Sequence, residues 1–172
     1  MKLPNDPRQC GDCSVCCEVA DVPGLVGPWQ KCPYQNQNSS GSCSIFDSST
    51  RPTICHDFGC AWYRGYGSLD DRPNNIDVMF SINTTEDGIF GFAIELIKDA
   101  LISSAKSMAI EFASSIDVPI IAVAAGKKPP EDTGDWVIIK DALLPRAQRI
   151  IGQEIIRLSD DVAMYELVKV TI

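Results

Sequence analysis

All eight cysteines of this chain, Cys10, Cys13, Cys16, Cys17, Cys32, Cys43, Cys55 and Cys60, fall within its first 60 residues, and the rest of the 172-residue sequence has none. Crowding of this kind argues against thiols used merely as small buried hydrophobes, which leaves disulfides or a metal framework. The cellular compartment decides between those two. The N-terminus reads MKLPNDPRQCGDC, with prolines and aspartates where a secretory signal needs an unbroken apolar stretch, so no export signal is expected. The apolar-rich run from Val118 to Ala125 is far shorter than the roughly 18 residues a membrane span requires. A soluble, cytoplasmic protein without membrane contact is the expectation. Thiols stay reduced in that compartment, where clustered cysteines are metal ligands more often than disulfides.

The length suits one compact domain of about 150 residues. With 45% hydrophobic and 22% charged residues, the composition is that of a folded globular chain. Asp and Glu number 23 against 15 Lys and Arg, a formal net charge of -8. That sign is opposite to the basic surface that phosphate backbones attract, so no nucleic-acid partner is expected.

Residues 1–75 are rich in Gly, Pro, Asn, Ser and Cys and sustain no apolar period, which describes loops in need of a staple. The polar stretches Asn36 to Ser42 and Asp47 to Thr50 read as exposed connections. Cys43 to Phe46 is expected to form a short strand, and Cys55 to Arg64 a helical turn or two. Residues 76–172 change character. Ile76, Val78, Phe80 and Ile82 alternate with Asp77, Met79 and Ser81, and after the turn signal Thr85-Glu-Asp-Gly88 the residues Phe90, Phe92, Ile94 and Leu96 alternate again, which predicts a β-hairpin. Leu101, Ala105, Met108 and Phe112 lie on one stripe of a helix over 99–115 that would cover the sheet. Val118 to Ala124 and Trp136 to Ile139 read as strands, joined by a polar loop from Gly126 to Gly134. Leu144, Ala147, Ile151, Ile155 and Leu158 form a second helical stripe, and Glu166 to Ile172 reads as a last strand or an apolar tail. The expected fold is α+β, a loop-rich, cysteine- and metal-stapled N-terminal half packed on a small antiparallel or mixed sheet with two helices.

The cysteine spacing carries the chemistry. A C-x2-C turn aims two sulfurs at one metal, as in zinc sites. A third cysteine at the same interval, Cys16, resembles the run that wraps an iron–sulfur cubane. Cys17 follows Cys16 directly, and in an extended segment adjacent side chains point to opposite sides, so the pair will not easily share one small site. Two four-cysteine sites, or one site with spare thiols, are both consistent with the count. Cys32, Cys43 and Cys55 are expected to close their loops onto the first block or onto each other, with Cys60 the least constrained member.

The arrangement Cys10-Gly-Asp-Cys13-Ser-Val-Cys16-Cys17, Cys32-Pro-Tyr34, Gly41-Ser-Cys43-Ser-Ile-Phe46, Arg51-Pro52 and Cys55-His-Asp-Phe58 resembles the CxxCxxCC family, also called YkgJ-like, a zinc- or iron-chelating cysteine cluster. The resemblance covers about residues 10–60. It implies that the eight cysteines are metal ligands for zinc or iron. Flagellin lysine methylases carry a similar block, which extends the implication to an iron–sulfur cluster, 4Fe-4S in type. His56, the only histidine, stands where Arg is more usual in the family. A Rieske centre needs two histidines and is excluded, so a surface or supporting role is expected for His56. Arg51 reads as a structural salt bridge or a donor to a cluster thiolate, and Asp12 and Asp57 as turn or cap residues. No Gly-x-Ser-x-Gly, Walker A, Gly-x-Gly-x-x-Gly or His-Glu-x-x-His motif occurs, and no catalytic residue is assigned. The function expected is metal binding through clustered cysteines, with a protein partner left open. An iron–sulfur enzyme of electron or methyl transfer, or a thiol redox protein, is the alternative.

Overall fold

The computed structural model describes residues 8–35, 43–85, 88–116, 118, 120–126, 136–138, 154–159 and 164–168. Its elements are α1 (Val15–Val19), α2 (Thr53–Asp57), α3 (Pro73–Ile76), β1 (Val78–Thr85), β2 (Gly88–Glu95), α4 (Lys106–Ser115), β3 (Ile120–Val123), β4 (Trp136–Ile138), β5 (Glu154–Ser159) and β6 (Met164–Val168), with short 3₁₀ turns at Leu69–Asp71 and Ala100–Ile102. The fold is α+β. The strands form one mixed sheet in the order β1-β2-β3-β4-β6-β5. Only the β2–β3 pair is parallel; its connection runs through α4, while the remaining pairs are antiparallel.

The expected hairpin is present as β1 and β2, registered from Val78 opposite Glu95 to Thr85 opposite Gly88. Phe80 lies opposite Ala93 and Met79 opposite Ile94, so the two apolar rows are offset by one residue. Residues paired directly across strands share a face. Val78, Phe80 and Ala93 therefore join Leu101, Ala105, Met108 and Phe112 in the main core, with Ile120 and Ala122 of β3. Met79 and Ile94 face the other way, toward Val15 and Val19 of α1. β1 is consequently buried on both faces, by the helical layer on one side and the cysteine-bearing half on the other. Tyr66 reaches into the main core from the N-terminal half, its ring edge-on to Phe112 at 5.2 Å.

The single helix expected over 99–115 is divided. Leu101, Ala105, Met108 and Phe112 are buried as the stripe requires, but α4 starts only at Lys106. Ser103 and Ser104 break the run, their hydroxyls donating to the carbonyls of Asp99 and Ile76, each at 2.7 Å. Serine hydroxyls compete in this way with helical backbone bonding. The Leu101 amide is likewise taken out of a helical ladder by Glu95 Oε1 at 2.9 Å.

Three other expectations change. Cys43 to Phe46 is not a strand: Cys43 makes one antiparallel bridge with Gln35, after which Phe46 N bonds back to Cys43 O at 3.2 Å in a turn. Arg51 fixes that turn, its guanidinium 4.2 Å from the Phe46 ring centre. Helix α2 ends at Asp57, with Phe58 extended, and only turns follow at 61–65. The second helical stripe is overturned at its C-terminal end, since Ile155 and Leu158 lie in β5, where Ile155 and Ile156 pair with Leu167 and Glu166 of β6. Pairing with β6 satisfies this β-branched run better than a lone helical turn would. Leu144, Ala147 and Ile151, the connection Asn36 to Ser42, the loop beyond Gly126, Ile139 and residues 169–172 lie outside the described residues. Asp47, Ser49 and Thr50 are exposed, as the polar connection requires.

Candidate metal centre

The first cysteine block is built as a turn followed by a helix. Cys13 N donates to Cys10 O at 2.8 Å, and Gly11 occupies the left-handed region at φ 54°, a conformation glycine adopts at no steric cost. Asp12, on that turn, is paired with Arg72 at 2.7 Å, which ties it to the chain entering α3. Helix α1 then presents Val15 and Val19 to Met79 of β1. Cys13, Cys16 and Cys60 pack against that same small cluster, beside Phe58, Trp29, Ile94 and Leu96.

Two of these sulfurs carry backbone donors. The amides of Val15 and Asn74 donate to the Cys13 sulfur, and Tyr63 N lies 3.5 Å from the Cys60 sulfur, with Trp62 N a second donor. Amide-to-sulfur hydrogen bonds of this kind favour the thiolate, the form in which cysteine binds metal. Cys60 is placed by its neighbour, since Ala61 N donates to Phe80 O on β1 at 2.7 Å.

The second group forms on the other side of α1. Cys32 N donates to Cys17 O at 3.3 Å, Gln35 N to Cys32 O at 3.0 Å, and the Gln35–Cys43 bridge folds the chain back. Cys55 sits in α2. The charges of Cys17, Cys32 and Cys43 all act on it. Arg51 donates to the Cys55 carbonyl and, at 3.3 Å, to that of Phe46, while its positive charge lowers the pKa of both Cys17 and Cys55. In place of the salt bridge expected for Arg51, its partners among the described residues are two carbonyls, an aromatic face and two thiols, and its buried Nε has no hydrogen-bond partner among them.

The vicinal pair is electrically unequal. Cys16 donates its thiol hydrogen to Cys17, which pushes the Cys16 pKa up; burial and the charges of Cys17, Cys10 and Cys60 add to that. The same hydrogen bond, helped by Arg51, lowers Cys17 to about 7. Burial pushes Cys60 up to about 11 and also raises Cys13 and Cys55. Of the pair, Cys17 is the more readily deprotonated.

None of the eight cysteines is in a disulfide. Among the described residues, no three histidine, cysteine or carboxylate side chains are drawn together tightly enough to hold a metal ion as they stand. His56 lies apart, its side chain 73% exposed and 3.3 Å from the equally exposed Asp57. Sequence reasoning missed Arg72 and the amides of Asn74, Trp62 and Tyr63, because backbone donors and a distant arginine leave no motif. No family model, no curated protein and no solved structure matches the chain. No helix among the described residues is long and apolar enough to cross a membrane.

Proposed function

We propose that the protein is a metal-binding module of CxxCxxCC type, holding an iron–sulfur cluster or zinc through Cys10, Cys13, Cys16, Cys17, Cys32, Cys43, Cys55 and Cys60. The observation that carries this reading is that all eight thiols are free of disulfides and that three of them, Cys13, Cys16 and Cys60, pack on one small cluster against β1, with backbone amides already directed at two of those sulfurs. The donor set fits a thiophilic centre: all-sulfur ligation suits zinc or iron–sulfur and disfavours hard cations. When bound, such a centre supplies either structural cross-linking or one-electron chemistry. The chain's own residues hold the sulfurs: Gly11 shapes the first turn, the Val15, Asn74, Trp62 and Tyr63 amides orient Cys13 and Cys60, and Arg51 offsets negative charge at Cys17 and Cys55. The C-x2-C-x2-C run places iron–sulfur ahead of zinc.

Anaerobic purification with metal analysis tests the reading. Visible absorbance with stoichiometric iron, or a colourless protein carrying stoichiometric zinc, supports it and chooses the metal. Protein with eight titratable thiols and no affinity for either overturns it. Cys13→Ser is expected to lower bound metal markedly, and unchanged metal content in that variant removes Cys13 from the site.

A second reading rests on the Cys16–Cys17 thiol hydrogen bond and the Arg51 charge beside it, which together lower the Cys17 pKa. As a dithiol, Cys16 and Cys17 would give two electrons and two protons to a partner disulfide, which becomes two thiols while the pair becomes a disulfide. A metal-free protein whose Cys17 is alkylated much faster than its other cysteines favours this reading.

A further inference from the structure

We infer that the eight cysteines divide into two four-thiol centres, Cys10, Cys13, Cys16 and Cys60 forming one and Cys17, Cys32, Cys43 and Cys55 the other. This rests on the metal-binding reading and goes beyond it, because the division does not follow chain order: the first block gives up Cys17 and takes Cys60 from the second.

The geometry of α1 turns the vicinal pair toward different sides of the helix, although their thiols stay within hydrogen-bonding reach. Successive helical residues are rotated by about 100°, so Cys17 lies roughly opposite the stripe made by Val15 and Val19. That stripe faces Met79, and Cys13, Cys16 and Cys60 pack around it, while the backbone bond between Cys10 and Cys13 brings Cys10 to the same turn. Cys17, on the far side, instead receives the Cys32 amide. The Gln35 bridge returns Cys43 toward Cys32, and Arg51 links Cys55 with Cys17.

The mutual charge interactions of the sulfurs divide the same way. Cys16 senses Cys10 and Cys60; Cys60 senses Cys10 and Cys13; Cys55 senses Cys17, Cys32 and Cys43. Apart from the thiol hydrogen bond and charge interaction of Cys16 with Cys17, which join the two sets at their shared helix, each of these interactions stays within one set. The two sets also differ in their cations, Arg72 acting on Cys13 and Arg51 on Cys17 and Cys55.

The arrangement interleaves the loops. Each centre joins α1 to a later segment, so neither can close within one stretch of sequence.

Loading the reduced, metal-free full-length chain with ¹¹³Cd²⁺ tests the division by NMR and metal counting. Two cadmium ions per chain and two resonances in the all-thiolate region are expected. Cys13→Ser and Cys60→Ser should remove one of them, and Cys43→Ser and Cys17→Ser the other, the surviving resonance in each variant reporting a retained fold. If Cys17→Ser removes the resonance lost in Cys13→Ser, or Cys60→Ser the one lost in Cys43→Ser, the division follows chain order and the inference is wrong. A single cadmium, or loss of both resonances in both Cys17→Ser and Cys60→Ser, also overturns it, while metal binding itself stands. A wild-type chain that takes up no Cd²⁺ overturns the inference and the metal-binding reading together.

Discussion

Glu95 is a carboxylate held where charge is costly. It is 6% exposed, and its one described partner is the Leu101 amide at 2.9 Å. Burial raises its pKa above 4.5, Asp99 adds to the rise and the amide opposes it. The folded chain therefore keeps this proton at a pH where the unfolded chain has lost it, so Glu95 lowers stability as pH rises from 4.5 through its raised value. Glu95→Gln keeps an acceptor for Leu101 and has no charge to desolvate. It is expected to be more stable than the native chain at pH 7 and to lose that advantage in acid, as read from urea midpoints at the two pH values. Glu95→Ala removes the acceptor and should cost about 1–3 kcal/mol. Gly67 is constrained differently. At φ 74° a Cβ would collide with the Met108 sulfur and crowd Asp71 Oδ2 at 3.0 Å, while its own amide donates to Glu111 at 2.9 Å. Gly67→Ala should destabilise by more than about 1 kcal/mol, seen as a lower thermal midpoint.

At the level of elements, α4 holds the sheet through one narrow stripe. Phe112 is fully buried between Phe80, with ring centres 5.4 Å apart, and Tyr66, so Phe112→Ala should cost about 3–5 kcal/mol. Ile110 is exposed on the same helix, and Ile110→Ser should stay within about 0.5 kcal/mol; denaturant titration of the two variants checks the contrast. What the sequence revealed follows from where periodicity is strong. Val78 to Ile82 and Leu101 to Phe112 show their buried faces in their spacing alone. Ile155 and Leu158 fit a helical spacing but belong to β5, because pairing with β6 outweighs a stripe read over so few residues. Cys16 and Cys17 already implied separate directions. That Cys60 would join the first block was hidden, since its position depends on the Ala61–Phe80 hydrogen bond, a contact between segments that no local pattern encodes. Arg51 was legible as a charge near cysteines but not as a residue bonded to carbonyls.

Across the whole molecule, the two faces of β1 divide the labour. One packs on a core that needs nothing further; the other carries α1 and loops with few apolar contacts, whose order depends on ligation if the proposed centres form. Chelation is expected to increase hydrogen exchange at the amides of Cys17, Cys32 and Gln35 while those of Phe80 and Ala93 stay protected; equal protection with and without metal would separate ligation from folding. Metal uptake should also release protons. Burial pushes Cys60 up to about 11 and its neighbour raises Cys16, so both must lose a proton to bind metal at pH 7 and affinity should rise with pH above neutrality and fall in acid, as calorimetry in buffers of different ionisation enthalpy would record. The bond from Ala61 to Phe80 has one more effect. β1 is an outermost strand of the sheet, and such a strand offers its unpaired backbone to any other chain that can add to it. The segment after Cys60 covers that border through Ala61, itself buried in the main core, so Ala61→Pro, which removes the donating N–H, would leave the Phe80 carbonyl open to strand addition, and the first sign of it would be turbidity in a concentrated sample.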